Sequence, residues 1–68
     1  MNDHDYVNFS EPHELNRHLR KVDKSQSQKN RDTLVVMGKE LKAKTGKSRL
    51  KHGEFHEYVK TQLRRLDD

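Results

Sequence analysis

Apolar residues are sparse along this chain, and they fall in three groups with helical spacing. Leu15, Leu19 and Val22 stand at i, i+4 and i+7, which is one face of a helix. Ser10 is a competent N-cap for it, Glu11 suits the positive helix end, and Pro12 is tolerated in a first turn. The predicted span is 11–22. Leu34, Met37 and Leu41 repeat the spacing with Gly38 on the same face, and Val36 and Ala43 widen the arc. Gly46 fits the left-handed position after a helix end, which predicts a second helix over 32–45. The run 34–37, LVVM, has strand propensity on its own, but the KELKAK that follows favours helix.

The third group has the best start signal. With Lys51 as N-cap, Glu54 falls at N3, where its carboxylate can reach back to the cap N–H. Leu50 and Phe55 fall at N′ and N4, the hydrophobic-staple pair. Phe55, Tyr58, Val59, Leu63 and Leu66 then mark one stripe, predicting a helix over 52–66. Between the first two helices the segment DKSQSQKNR carries no apolar residue and reads as a loop or an exposed first turn. Ser25, Ser27 and Asp32 are each suitable caps there.

The expectation is an all-α, three-helix domain over 10–68 behind a mobile leader at 1–9. Its core is Leu15, Leu19, Val22, Leu34, Met37, Leu41, Leu50, Phe55, Tyr58, Val59, Leu63 and Leu66. Sixty-eight residues hold one domain at most, burying only about 60% of the unfolded surface. The hydrophobic fraction is 28% and the charged fraction 38%, so the core is thin and self-association into a homodimer could extend it. There is no cysteine, hence neither disulfide nor thiolate metal site. No apolar run approaches membrane-spanning length and the N-terminus lacks an apolar signal core, so the expected location is the cytoplasm, with no membrane partner.

Charge changes the picture in the middle of the chain. Residues 24–51 hold nine basic residues against two acidic ones, a net +7, whereas 1–23 carry −2 and 52–68 carry −1. Lys39, Lys42, Lys44, Lys47, Arg49 and Lys51 cluster around the junction of the second and third helices. Such a patch attracts a polyanion or an acidic protein surface. Nucleic acid would be met through its phosphates, with low sequence specificity.

Other chemistry fails on spacing. Thr45-Gly46-Lys47-Ser48 looks like the tail of a phosphate-binding loop, but Leu41 stands where the first glycine belongs. His52 and His56 have the separation of a two-histidine zinc pair, yet Gly53 follows the first histidine where a general-base glutamate is needed, and no third ligand is evident. The chain is expected to bind no metal or cofactor and to be no enzyme, because a core this small encloses no site that could retune a catalytic carboxylate.

Gly38-Lys39-x-Leu41, Ala43-Lys44, His52-Gly53-Glu54-Phe55 and the aromatic Tyr58 resemble a pattern in uncharacterised small helical proteins of phages and plasmids. The match covers about a third of the chain, and the Ala-Lys pair lies one residue early. Members of that group continue into a Ser-x-Arg-Thr-Ala segment that these residues lack, so the resemblance implies a mobile-element origin more than DNA binding. It also implies that Gly53 and Phe55 serve as helix start and core anchor. A second pattern lies in Tyr6-Val7-Asn8-Phe9-Ser10, then Glu11-Pro12 and the first helix, which is similar to the opening of ribbon–helix–helix repressors. That alternative implies a dimer with an intermolecular N-terminal strand, Tyr6, Asn8 and Ser10 facing DNA, Val7 and Phe9 facing the core, and an extra C-terminal helix. The functional expectation is a small basic accessory protein binding nucleic acid through the six named cations. The alternatives are an interaction module or inhibitor docking on a larger partner, and a ribbon–helix–helix repressor.

Overall fold

In the computed structural model, which describes residues 6–68, helix starts are set by backbone and side-chain caps. Helix α1 is Pro12–Lys21, α2 is Gln28–Thr45 and α3 is His52–Thr61, followed by a 3-10 turn at Leu63–Arg65. The all-α, three-helix expectation holds.

Ser10 does not cap α1. Its hydroxyl and amide both bond Asn8 Oδ1, at 2.6 and 3.1 Å, and Glu11 becomes the N-cap with Pro12 opening the helix. α1 ends in a Schellman closure with aspartate where glycine is usual. Asp23 takes a left-handed φ of 58°, its N–H donates to the Arg20 carbonyl at 3.2 Å, and Lys24 N–H donates to the Leu19 carbonyl at 2.9 Å.

α2 begins four residues earlier than the expected 32. Ser27 is the cap that is used, its hydroxyl accepting from Asn30 N–H at 3.2 Å. The polar segment is therefore the first turn of α2, and Asn30 is buried in it at 1% exposure. Its amide is fully occupied. Nδ2 donates to the carbonyls of Ser25 and Asp67, both at 2.8 Å, and Oδ1 accepts from Asp67 N–H at 2.9 Å. Gly46 closes α2 with φ 70°, as the sequence predicts.

α3 starts as predicted. Glu54 accepts from Lys51 N–H at 3.0 Å, and the staple residues Leu50 and Phe55 are both fully buried. It stops at Thr61 rather than at 66. The 3-10 turn and an extended Leu66 swing the last apolar side chain inward to 5% exposure, and Asn30 holds the main chain just beyond.

The core contains Leu15, Leu19, Leu34, Met37, Leu50, Phe55, Val59 and Leu66, with Val22, Leu41, Tyr58 and Leu63 packed half-buried at its edge. Val36, expected on the apolar arc, is 48% exposed. The largest departure is the expected leader. Residues 1–5 lie outside the described residues, but Tyr6–Phe9 form a docked strap. Tyr6 makes an antiparallel bridge to Lys51, and Val7 N–H donates to the Leu50 carbonyl at 2.8 Å. Val7 is buried, and the Phe9 ring meets Phe55 edge-on with centroids 5.0 Å apart. Val7 and Phe9 do face a core, as the ribbon–helix–helix alternative expects, but the strap bridges to its own chain and α3 belongs to the same core.

The strap depends on Gly38. A Cβ there would stand 2.4 Å from Phe9 Cζ, so only glycine lets the ring lie on α2. In Gly38→Ala the helix gains up to ~1 kcal/mol in propensity while Phe9 is displaced. The expected result is a Tm that changes little and amide exchange at Val7 that accelerates about tenfold or more, from the lost burial of a large ring. Retained protection at Val7 would show that Phe9 does not hold the strap. For Asn30→Ala, three hydrogen bonds to main-chain groups are lost, the Asp67 carbonyl alone keeping another donor, Ser25 N–H at 3.2 Å. A loss of about 2 kcal/mol is expected, read as a Tm drop on the order of 10 °C.

A candidate nucleic-acid interface at the α2–α3 hinge

Two helix ends meet at the hinge, and each has a reason to carry cations. The C-terminus of α2 presents carbonyls whose dipole favours Lys42 and Lys44. Gly46 then reverses the chain, so that 47–51 cross between the helices as an exposed turn ending on buried Leu50. Residues 42–51 contain no acidic residue.

The six cations do not form one uniform face. Lys39 and Lys42, three apart on α2, share a side. Lys42 lies with Nζ 5.1 Å from the centroid of the strap residue Phe9. Lys44, two residues on, projects across the helix, and its Nζ is 5.5 Å from the Tyr58 ring. Lys47, Arg49 and Lys51 line the hinge. Arg49 places its guanidinium 5.4 Å from the Tyr6 ring centroid, and Lys47 pairs with Glu54 at 3.0 Å. Lys39 and Lys51 are exposed. Three of the six are thus held over aromatic rings, an arrangement that favours the cation without neutralising it.

Among the described residues, the carboxylates of Glu40 and Glu54 border the patch. Glu54 is held below the ordinary carboxylate range by the Lys51 backbone N–H first and the Lys47 ammonium second. Glu40 is lowered by Arg65, which pairs with it in a two-pronged contact at 2.7 and 3.0 Å, and then by the Tyr58 hydroxyl donating at 3.0 Å. Both acids are already engaged by the fold.

Residues beyond the six expected cations adjoin the site, among them Tyr6, which the ribbon–helix–helix alternative turns toward DNA. Tyr6 and Arg49 line a shallow groove with Lys47, Ser48 and Lys51, and they also line a second groove with His13, Glu14, Arg17 and His52. The alternation of Tyr6 and Asn8 with the inward Val7 and Phe9 was the available signal.

From the wall of the second groove a relay runs inward to the buried His18. Glu14 Oε1 accepts from Asn8 N–H at 3.0 Å and stands 3.4 Å from His52 Nε2, and His52 Nδ1 is 3.0 Å from His18 Nε2. With centroids 5.1 Å apart and planes within 10°, a 3.0 Å nitrogen separation sets the two rings edge to edge rather than face to face. A carboxylate only accepts, so the His52 proton belongs on Nε2. Its Nδ1 then accepts from His18 Nε2–H, which leaves His18 Nδ1 bare. That atom is buried and has no partner among the described residues. His56, tilted at 6.2 Å, completes the cluster. No group of three or more histidine, cysteine or acidic side chains is arranged to hold a metal among the described residues. No helix there is long and apolar enough to cross a membrane.

Burial, then the neighbouring His52, Lys21, His56 and Arg17 charges, pushes His18 down to about 4 from 6.5. The unfolded chain therefore takes up this proton near pH 6.5 and the folded chain only near 4. Stability from neutral His18 is fully present above 6.5 and is lost as pH falls toward 4. The full gap corresponds to ~3 kcal/mol at ~1.4 kcal/mol per pKa unit. Glu40, Glu54 and Asp68, all lowered from ordinary carboxylate values, lose their contribution only at more acid pH. Urea unfolding between pH 7.5 and 5 should thus show a decline that His18→Leu flattens.

No family model, curated protein or solved structure matches this chain, so the reading of the site rests on its own residues.

Proposed function

We propose that the protein binds nucleic acid through its phosphates, using the α2–α3 hinge and the cations Lys39, Lys42, Lys44, Lys47, Arg49 and Lys51. The observation that carries this reading is a ten-residue hinge region without an acid, in which Lys42, Lys44 and Arg49 are each held over an aromatic ring. Cations so placed keep their charge and lose little further side-chain entropy on meeting a phosphate. The engaged state of Glu40 and Glu54 limits the repulsion an anion would feel. Affinity would come from backbone neutralisation and counterion release, with little reading of bases. The likeness of Gly38-Lys39-x-Leu41 and His52-Gly53-Glu54-Phe55 to phage and plasmid proteins supports an accessory role on a mobile element.

A labelled random oligonucleotide, in single-stranded and duplex form, titrated at about 50 and 200 mM salt tests this. Binding should weaken with salt on at least one form. Lys39→Gln with Lys51→Gln removes two exposed cations that make no ion pair among the described residues, and should shallow the log–log salt slope by about 2. Absence of binding to both forms, or affinity indifferent to salt, sinks the proposal.

A further inference from the structure

We infer that the polyanion is a single strand, and that Tyr6 is the platform on which one unpaired base stacks. This rests on the phosphate-binding reading above and gives it a substrate class. Tyr6 and Arg49 form the ridge between the two grooves, since both line each of them. Arg17 stands in one groove, and Lys47 and Lys51 in the other. The surface order is cation, flat ring with guanidinium, cation.

That order suits a strand whose bases are unpaired. Phosphates on either side of one nucleotide meet the flanking cations while the base lies on the ring and guanidinium between them. A duplex keeps its base faces stacked and offers nothing to Tyr6. The other two rings that carry a cation, Phe9 and Tyr58, are committed to the fold. Phe9 packs on Gly38 and Phe55, and the Tyr58 hydroxyl is bonded to Glu40. Both grooves also contain a carboxylate, and each is engaged: Glu14 by Asn8 N–H and His52, Glu54 by Lys51 N–H and Lys47.

Tyr6 is held in place for this use. The Val7 N–H bond to Leu50, which forms the Tyr6–Lys51 bridge, and the Asn8 N–H bond to Glu14 fix the strap at the two residues that follow Tyr6. Little backbone entropy remains to be lost when a base arrives. Stacking is indifferent to base identity, which agrees with low sequence specificity.

The test compares a labelled oligothymidine with a hairpin duplex of equal phosphate number in the same low-salt buffer. The single strand should bind about tenfold tighter, the scale of one base–aromatic stack. Tyr6→Ala should lose about that factor on the single strand and nothing on the duplex, Tyr6→Phe should keep it, and the salt slope should not move. The chain has two tyrosines and no tryptophan, so in Tyr58→Phe protein Tyr6 is the sole emitter. Its fluorescence should be quenched at saturating oligonucleotide, which reads stacking without disturbing the strap. Equal affinity for both forms with a normal salt slope overturns this inference and leaves the phosphate-binding reading standing. So does Tyr6 emission that saturating oligonucleotide leaves unchanged. Binding to neither form overturns both.

Discussion

The Phe55 ring is fully buried where the strap, α1 and α3 converge. Phe9 and His18 both approach it edge-on with centroids 5.0 Å away, and Leu50, its staple partner, is buried beside the start of the same helix. Few other apolar side chains are available in a chain that is 28% hydrophobic. The strap, α1 and the start of α3 therefore share this one ring, and the hinge is positioned beside it. Leu50 anchors the last turn before α3, Val7 bonds to the Leu50 carbonyl, and Arg49 and Lys51 are displayed on either side.

What could be read from the sequence is what is decided locally. Gly46 stops α2 and Glu54 reaches back to Lys51, because both need only neighbours a turn away. The apolar stripes gave eight of the nine buried apolar positions, Val7 being the exception. What was not legible depends on distant partners. Asn30 looks like an ordinary loop residue until residue 67 folds against it, and His18 and His52 are 34 apart. The strap is too short to show periodicity, and its docking is permitted by the missing side chain at Gly38, which on sequence alone resembles one more position of a helix face. Thr61 ends α3 because the tail is drawn inward toward Asn30, a tertiary cause that a continuing Leu63 and Leu66 stripe conceals.

The cationic density of the hinge, clear in the sequence, takes a particular physical form. Two lysine ammonium groups and one arginine guanidinium lie over aromatic rings, so the cations contribute to covering the rings of a thin core as well as to the local field. The isolated carboxylates are drawn to the borders of the patch, where Arg65 and the Lys51 backbone hold them. Surface ion pairs such as Lys60–Glu57 add little to stability by comparison.

The tie between Asn30 and Asp67 closes a loop that overlaps the one closed by Tyr6 and Lys51, since residue 30 lies inside the first and residue 67 outside it. Interleaved closures of this kind leave no contiguous half of the chain with its own complete set of partners. Residues 28–67 can form the Asn30 tie by themselves, but Phe55 there stays uncovered until Val7 reaches Leu50 and Phe9 reaches the ring, so a second loop must close before the core is complete. A chain whose helical content suggests rapid local assembly thus completes its core only through contacts between distant residues, which slow folding.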